Sequence, residues 1–182
     1  MTETLLLVGA AVLVLACGMF VAAEFAFVGV DRATVEREAE RGDRAAKGTL
    51  SALRSLSTQL SAAQLGITVT NLAIGFLSEP AIAALISEPL LDLGLSEGAA
   101  SGVSLTVALV LSTAVTMIFG ELVPKNLAIA VPLRTCGWIQ APMRVFTAVT
   151  RPLVSVLNNT SNVLVRAVGV EPQEELASAR SA

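Results

Sequence analysis

Glu121 is the first residue in this chain whose placement demands chemistry. It closes the uncharged run Gly98–Gly120 and belongs to the stretch Gly120-Glu-Leu-Val-Pro-Lys125. Pro124 has no N–H, so in an α-helix the Gly120 carbonyl, four residues earlier, loses its partner and the helix tends to kink. A freed carbonyl beside a carboxylate suits a hard cation. Mg²⁺, Ca²⁺ and Na⁺ take their oxygens from carboxylates, amides, hydroxyls and broken-helix carbonyls. The alternative reading sets Glu121 at a membrane edge, paired with Lys125 one turn on.

A second uncharged run carries complementary groups. Ser57, Ser61, Gln64, Thr68, Asn71, Gly75 and Ser78 follow at steps of three or four, forming one polar stripe along a helix. Lipid does not tolerate such a face, because an unpartnered amide or hydroxyl in hydrocarbon costs several kcal/mol. Helix–helix contact, with Ser and Thr bonding back to their own backbone, accounts for Ser57, Ser61 and Ser78. Asn71 is the stripe's candidate ligand. Glu24, in the first apolar run, lies among Ala22, Ala23 and Ala26, with Gly18 and Gly29 at small-residue spacing. It is a ligand, a counter-charge or a structural acceptor, and a supporting role is favoured.

Composition excludes other chemistry. Of 182 residues, 54% are apolar and 15% charged, and the mean hydropathy is +0.73, values of a membrane protein rather than a soluble domain. The absence of His removes His-type zinc sites, Ser/His and Cys/His nucleophiles and His proton relays, so no enzyme is expected. The net charge of −3 and the scattered basic residues give no nucleic-acid surface. Cys17 and Cys136 lie far apart and read as packing residues rather than a disulfide.

The elements that must position these residues are spanning helices, since about 20 apolar residues cross a bilayer. Spans are expected over residues 4–30, 55–78 and 98–123, all within a transmembrane domain of residues 1–170. A cleaved signal peptide is the rival reading of the first run, but no basic stretch precedes it. The segment Asp31–Arg54 holds Arg32, Arg37, Arg41, Arg44, Lys47 and Arg54, whereas Glu79–Glu97 holds no Lys or Arg. The positive-inside rule then sets the N-terminus outside and the C-terminus in the cytoplasm of a plasma-membrane protein. Residues 31–54 read as a juxtamembrane helix with Gly42 its weak point. In residues 133–168, Pro142 and Pro152 are expected to break the chain into short interfacial helices, with Trp138 near the headgroups. A fourth span over Pro152–Val165 is the minority alternative. The polar tail 171–182 reads as a linker.

Phe20-Val-Ala-Ala-Glu24-Phe-Ala, the basic helix after it, Gln64-Leu-Gly-Ile-Thr68 followed by Asn71, and Gly120-Glu-Leu-Val-Pro-Lys125 resemble the transmembrane domain of the CorC/CNNM family, formerly called haemolysin-like. The resemblance covers about residues 5–170. It implies an all-α homodimer of three transmembrane helices with a cytoplasmic-side belt of juxtamembrane helices. It also implies Mg²⁺ held in a cavity and exported, with inward Na⁺ movement as the drive. By position, Asn71 and Glu121 match the family's polar ligands, and Gly66 and Gly120 lie where helices break or approach closely. Thr68 and Glu24 complete the candidate metal set. Family members continue into cytoplasmic CBS modules, so residues 171–182 read as a linker to domains absent here. Val21 and Gly29 stand where many members have serine, which weakens the first helix's share of the coordination.

The expected function is therefore Mg²⁺ efflux, with a dehydrated or partly dehydrated cation in a transmembrane cavity and Na⁺ as a possible second ion. The alternative is a Mg²⁺ sensor that does not transport and instead regulates a membrane partner.

Overall fold

A computed structural model describes residues 2–169. Among them the regular structure is helical: α1 Thr2–Gly29, α2 Arg32–Glu40, α3 Arg44–Leu53, α4 Leu56–Asp92, α5 Glu97–Val115, a π-helical stretch Thr116–Leu122, α6 Val123–Ala130 and α7 Pro132–Ala167. Three helical runs are long and apolar enough to cross a membrane: Thr2–Gly29, Leu56–Asp92 and the continuous Glu97–Ala130. The expected tail linker at 171–182 lies outside the described residues.

Helix ends follow local chemistry rather than the limits of the apolar runs. The second run was expected to end near Ser78, but α4 continues through Glu79 and Pro80 to Asp92. It stops where Gly94 adopts φ +87°. There the Gly94 N–H bonds Leu91 O at 2.9 Å and the Leu95 N–H bonds Leu90 O at 3.3 Å, the glycine-dependent termination known as the Schellman motif. Gly42, at φ +97°, does the same after α2, so the basic segment forms two helices rather than one. Asp31 caps α2 by accepting from the Thr34 N–H, and Asp43 caps α3 by accepting from Ala45 and Ala46.

Residues 132–167 form one 36-residue helix instead of several short ones. Pro142 and Pro152 each remove a hydrogen bond, but both face outward. The buried stripe Thr135, Cys136, Ile139, Met143, Thr147 and Val154 holds α7 against the bundle. Packing wins over the local breaker.

The core is centred on α1, where Ala22, Ala23 and Ala26 lie against Ala62 and Ala63 of α4 and Ala128 of α6. Small residues let the backbones approach, which substitutes for the hydrophobic effect in a lipid solvent. Phe20 and Phe27 are the two rings buried in this cluster, and Phe20 reaches α7. Its ring lies 4.6 Å from that of Phe146 on α7, and its atoms would come within 2.6 Å of a Cβ at Gly66. The outer faces carry exposed Leu5, Val12, Leu15, Leu72, Phe76 and Val110, as a surface solvated by acyl chains does.

Candidate cation site

Asn71 and Glu121 meet across the α4 interface with the third run. The Asn71 Nδ2 donates to Glu121 Oε1 at 3.1 Å, and the Cys17 thiol of α1 donates to Asn71 Oδ1 at 3.2 Å. Three helices thus converge on one amide. Both Asn71 and Glu121 are half-buried. Glu121 does not pair with Lys125, whose ammonium sits 4.7 Å over the Phe25 ring and forms no ion pair among the described residues. The membrane-edge ion pair weighed for Glu121 is therefore not what the structure holds.

The helix widens before Pro124. In the π register each N–H reaches five residues back, and the Val123 N–H bonds Ile118 O. Counted in that register, the carbonyl facing Pro124 belongs to Phe119, not to Gly120 as an α-helix would have it. Phe119 O and the Pro124 ring would both lie against a Cβ at Gly18, so α1 packs closely on the third run here. Gly120 is buried and faces Cys17. π-Bulges of this kind concentrate at functional sites.

Two clefts meet at the Asn71–Glu121 pair. One, of about 550 Å³, is lined by Val21, Glu24, Gln64, Thr68, Asn71 and Glu121. The other, of about 320 Å³, runs toward the opposite end of α4 and is lined by Asn71, Gly75, Glu79, Ser112, Thr116 and Glu121. A third, of about 520 Å³, shares Glu24, Gln64 and Thr68 with the first and continues to Asn158 and Ser161 on α7. Among the described residues, no three His, Cys, Asp or Glu side chains converge. Any cation here must draw on amides, hydroxyls, carbonyls or water beside at most two carboxylates, as Mg²⁺ does when it retains part of its hydration shell.

The other sequence candidates divide. Glu24 and Thr68 line the first cleft with Glu121, although the Thr68 hydroxyl donates to its own backbone at Gln64 O, 2.9 Å. Gly66 lines neither cleft at the pair. It provides the close approach for Phe20, its carbonyl accepts from the Thr70 hydroxyl at 2.7 Å, and α4 is unbroken there. Val21 is buried and lines the first cleft, whereas a Cβ on Gly29 would meet nothing within 4 Å. Ser78 bonds Ile74 O and the Ser112 hydroxyl, which is the packing role expected of it.

Two contributors were not singled out from the sequence. Glu79, read as part of an outer loop, lies within α4 over Gly75 and lines the second cleft. Continuing the polar stripe four residues past Gly75 reaches it. Cys17, read as packing, sits seven residues before Glu24 on the same face of α1, and that spacing was the available signal.

An all-helical membrane domain with three apolar spans and a carboxylate–amide pair between them defines the class. The family profile for the Cyclin M transmembrane N-terminal domain matches residues 8–181. A UPF0053 protein of Mycobacterium tuberculosis is 45% identical over 164 residues, covering 90% of this chain and 36% of that protein. UPF0053 protein YhdT of Bacillus subtilis is 34% identical over 173 residues, covering 95% of this chain and 37% of that protein. A UPF0053 protein of Synechocystis is 30% identical over 163 residues, covering 90% and 36%. The chain belongs to the CorC/CNNM family, and it spans well under half the length of these relatives.

Proposed function

We propose that this domain transports a hard divalent cation, Mg²⁺ foremost, with Glu121 and Asn71 as its central ligands. The observation that carries this reading is that one hydrogen-bonded pair forms the common wall of two clefts extending in opposite directions along α4. A carboxylate that bonds only one amide keeps acceptor capacity for an incoming ion. When the cation arrives, Asn71 turns its carbonyl oxygen toward the metal and its Nδ2–H away, so the septum becomes the site. Liquid water occupies about 30 Å³ per molecule, so a cleft of 550 Å³ admits an ion with much of its hydration shell. Glu24 draws the cation into the first cleft and Glu79 faces it in the second. The glycines, the π stretch and Pro124 give the third run the freedom that alternating access requires.

Family membership supports the finer parts of the proposal. The N-terminus is outside, the first cleft opens to the cytoplasm, export is driven by inward Na⁺, and the working unit is a homodimer in the plasma membrane. The deciding experiment reconstitutes the purified chain into liposomes loaded with a Mg²⁺-sensitive dye. Saturable Mg²⁺ flux that rises with an opposed Na⁺ gradient and disappears in Glu121→Gln is expected. Mg²⁺ binding without flux, in orientation-checked vesicles, would replace transport by sensing.

A further inference from the structure

A cleft of about 640 Å³ lies away from the Asn71–Glu121 site, where the end of α3 and the start of α4 meet the middle of α7. We propose that it binds a phosphate group, carried either by an anionic phospholipid headgroup or by a free phosphate in solution. The proposal is independent of the transport reading.

Its lining contains two arginines, several hydroxyls and no acidic residue: Arg144, Arg151, Ser51, Ser55, Thr58, Gln59 and Thr147 are the polar members. Arg144 and Arg151 are seven residues apart, two turns of α7, so both guanidinium groups leave the same face. Among the described residues neither forms an ion pair. Several other arginines do have partners. Arg32 bonds Glu36 and Arg41 bonds Glu38, and Arg134 lies over the Trp138 ring.

The opposite wall adds donors. Ser55 is the N-cap of α4, yet its side chain makes no capping bond; its hydroxyl points back to Ala52 O at 3.4 Å. The first N–H groups of a 37-residue helix are therefore left without a side-chain acceptor beside the cleft. Such N–H groups, with the helix dipole behind them, favour an oxyanion. The floor is fixed by the Thr147 hydroxyl donating to Gln59 Oε1 at 2.9 Å, with both residues over nine-tenths buried. A tetrahedral phosphate, with oxygens pointing several ways, matches two guanidinium forks, three hydroxyls and a helix end better than a planar carboxylate does. Trp138, 63% exposed on the same helix, sets the depth of the cleft at that of lipid headgroups.

The test measures the melting midpoint of the whole purified chain in neutral maltoside at constant ionic strength, titrated with dihexanoyl phosphatidylglycerol, dihexanoyl phosphatidylcholine or inorganic phosphate. At a hundredfold excess over Kd, a specific ligand raises the midpoint by about 5–10 °C. A rise with phosphatidylglycerol alone assigns the lipid headgroup. An equal rise with inorganic phosphate assigns a free phosphate. The choline lipid is the control, since its ammonium meets two guanidinium groups. Arg144→Gln with Arg151→Gln is expected to abolish the rise, and Ser51→Glu, which keeps both arginines but adds an anion at the exposed rim, is expected to do the same. The proposal is overturned if neither ligand shifts the midpoint beyond the choline lipid, or if the shift survives in both variants.

Discussion

The carboxylate between the spans and the arginines at the edge of the bundle are built in opposite ways. Glu121 sits on a π stretch and is held by Asn71, which is held in turn by Cys17, so three helices define one site. Arg144 and Arg151 come from a single helix and meet hydroxyls and an uncapped helix end without a counter-charge. In hydrocarbon a carboxylate without a partner is expensive, so the central site exists only once the spans have packed. At the interface water and headgroups solvate a cation cheaply, and local geometry suffices. Damage at the centre should therefore act through packing and ion affinity together, whereas damage at the edge should remain local.

The largest expected effect is on ion affinity. Glu121→Gln keeps an oxygen that accepts from Asn71 but removes the charge, so Mg²⁺ affinity should fall by about 100-fold or more, on the scale of lost charge-assisted contacts. Mg²⁺-dependent stabilisation against heat reads this directly. A variant with wild-type affinity would place the ion elsewhere and erase the contrast between centre and edge.

Two glycines test the packing half of the contrast. A Cβ at Gly66 would lie 2.6 Å from the Phe20 ring, whereas one at Gly137 on α7 would meet Ala45 at an ordinary 3.7 Å. Helix propensity favours alanine over glycine by about 1 kcal/mol at both positions, but a clash with a packed ring costs about 1–3 kcal/mol. Gly66→Ala should thus lower the melting midpoint, and Gly137→Ala should leave it unchanged or raise it. Adding Phe20→Leu should shrink the penalty at Gly66. A penalty of the same size in both backgrounds would mean that the ring is not its source.

How much of this was legible in the sequence follows the same division. The three spans, the Asn71 stripe and Glu121 could be read because hydrocarbon punishes polarity at every turn, leaving a periodic record in residues 57–78. The end of α4 was misplaced because the apolar run stops before the helix does, and the true stop is Gly94 in a left-handed conformation. The unbroken α7 was missed because Pro142 and Pro152 are strong local signals, while the packing that overrides them lies on α1, α3 and α4. The π register was also hidden. Pro124 predicts a missing hydrogen bond, but which carbonyl it leaves free depends on the helix register over Thr116–Leu122, which no residue type in that stretch announces.

A smaller effect is expected one step from the ligand. Cys17→Ala removes a weak donor from Asn71 Oδ1, a bond the amide gives up when it turns its oxygen toward the metal, and should raise Mg²⁺ affinity by about threefold, the scale of one neutral hydrogen bond. In an Asn71→Ala background the same substitution should have no further effect. Additive effects of the two substitutions in that double-mutant cycle, or a fall in affinity for Cys17→Ala alone, would show that Cys17 acts by packing alone.

The smallest effect should appear at the edge and stay there. Asp31 caps α2 by accepting from the Thr34 hydroxyl and the Thr34 N–H. These bonds, the hydroxyl first, hold its carboxyl below the ordinary 3.8. A carboxyl depressed in the folded state contributes its stability above the unfolded pKa and loses it as pH falls through the folded value. Protection of the first α2 amides in hydrogen exchange, corrected for intrinsic rates, should therefore be full at pH 6 and decline below about pH 4. Asp31→Asn still caps but does not titrate, so its profile should be flat over that range. Protection across α1 and α4 should not follow the same curve, because the Asn71–Glu121 contact is fixed by packing that Asp31 does not touch. If α1 opens together with α2 on acidification, the edge and the centre form one cooperative unit and the division between them fails.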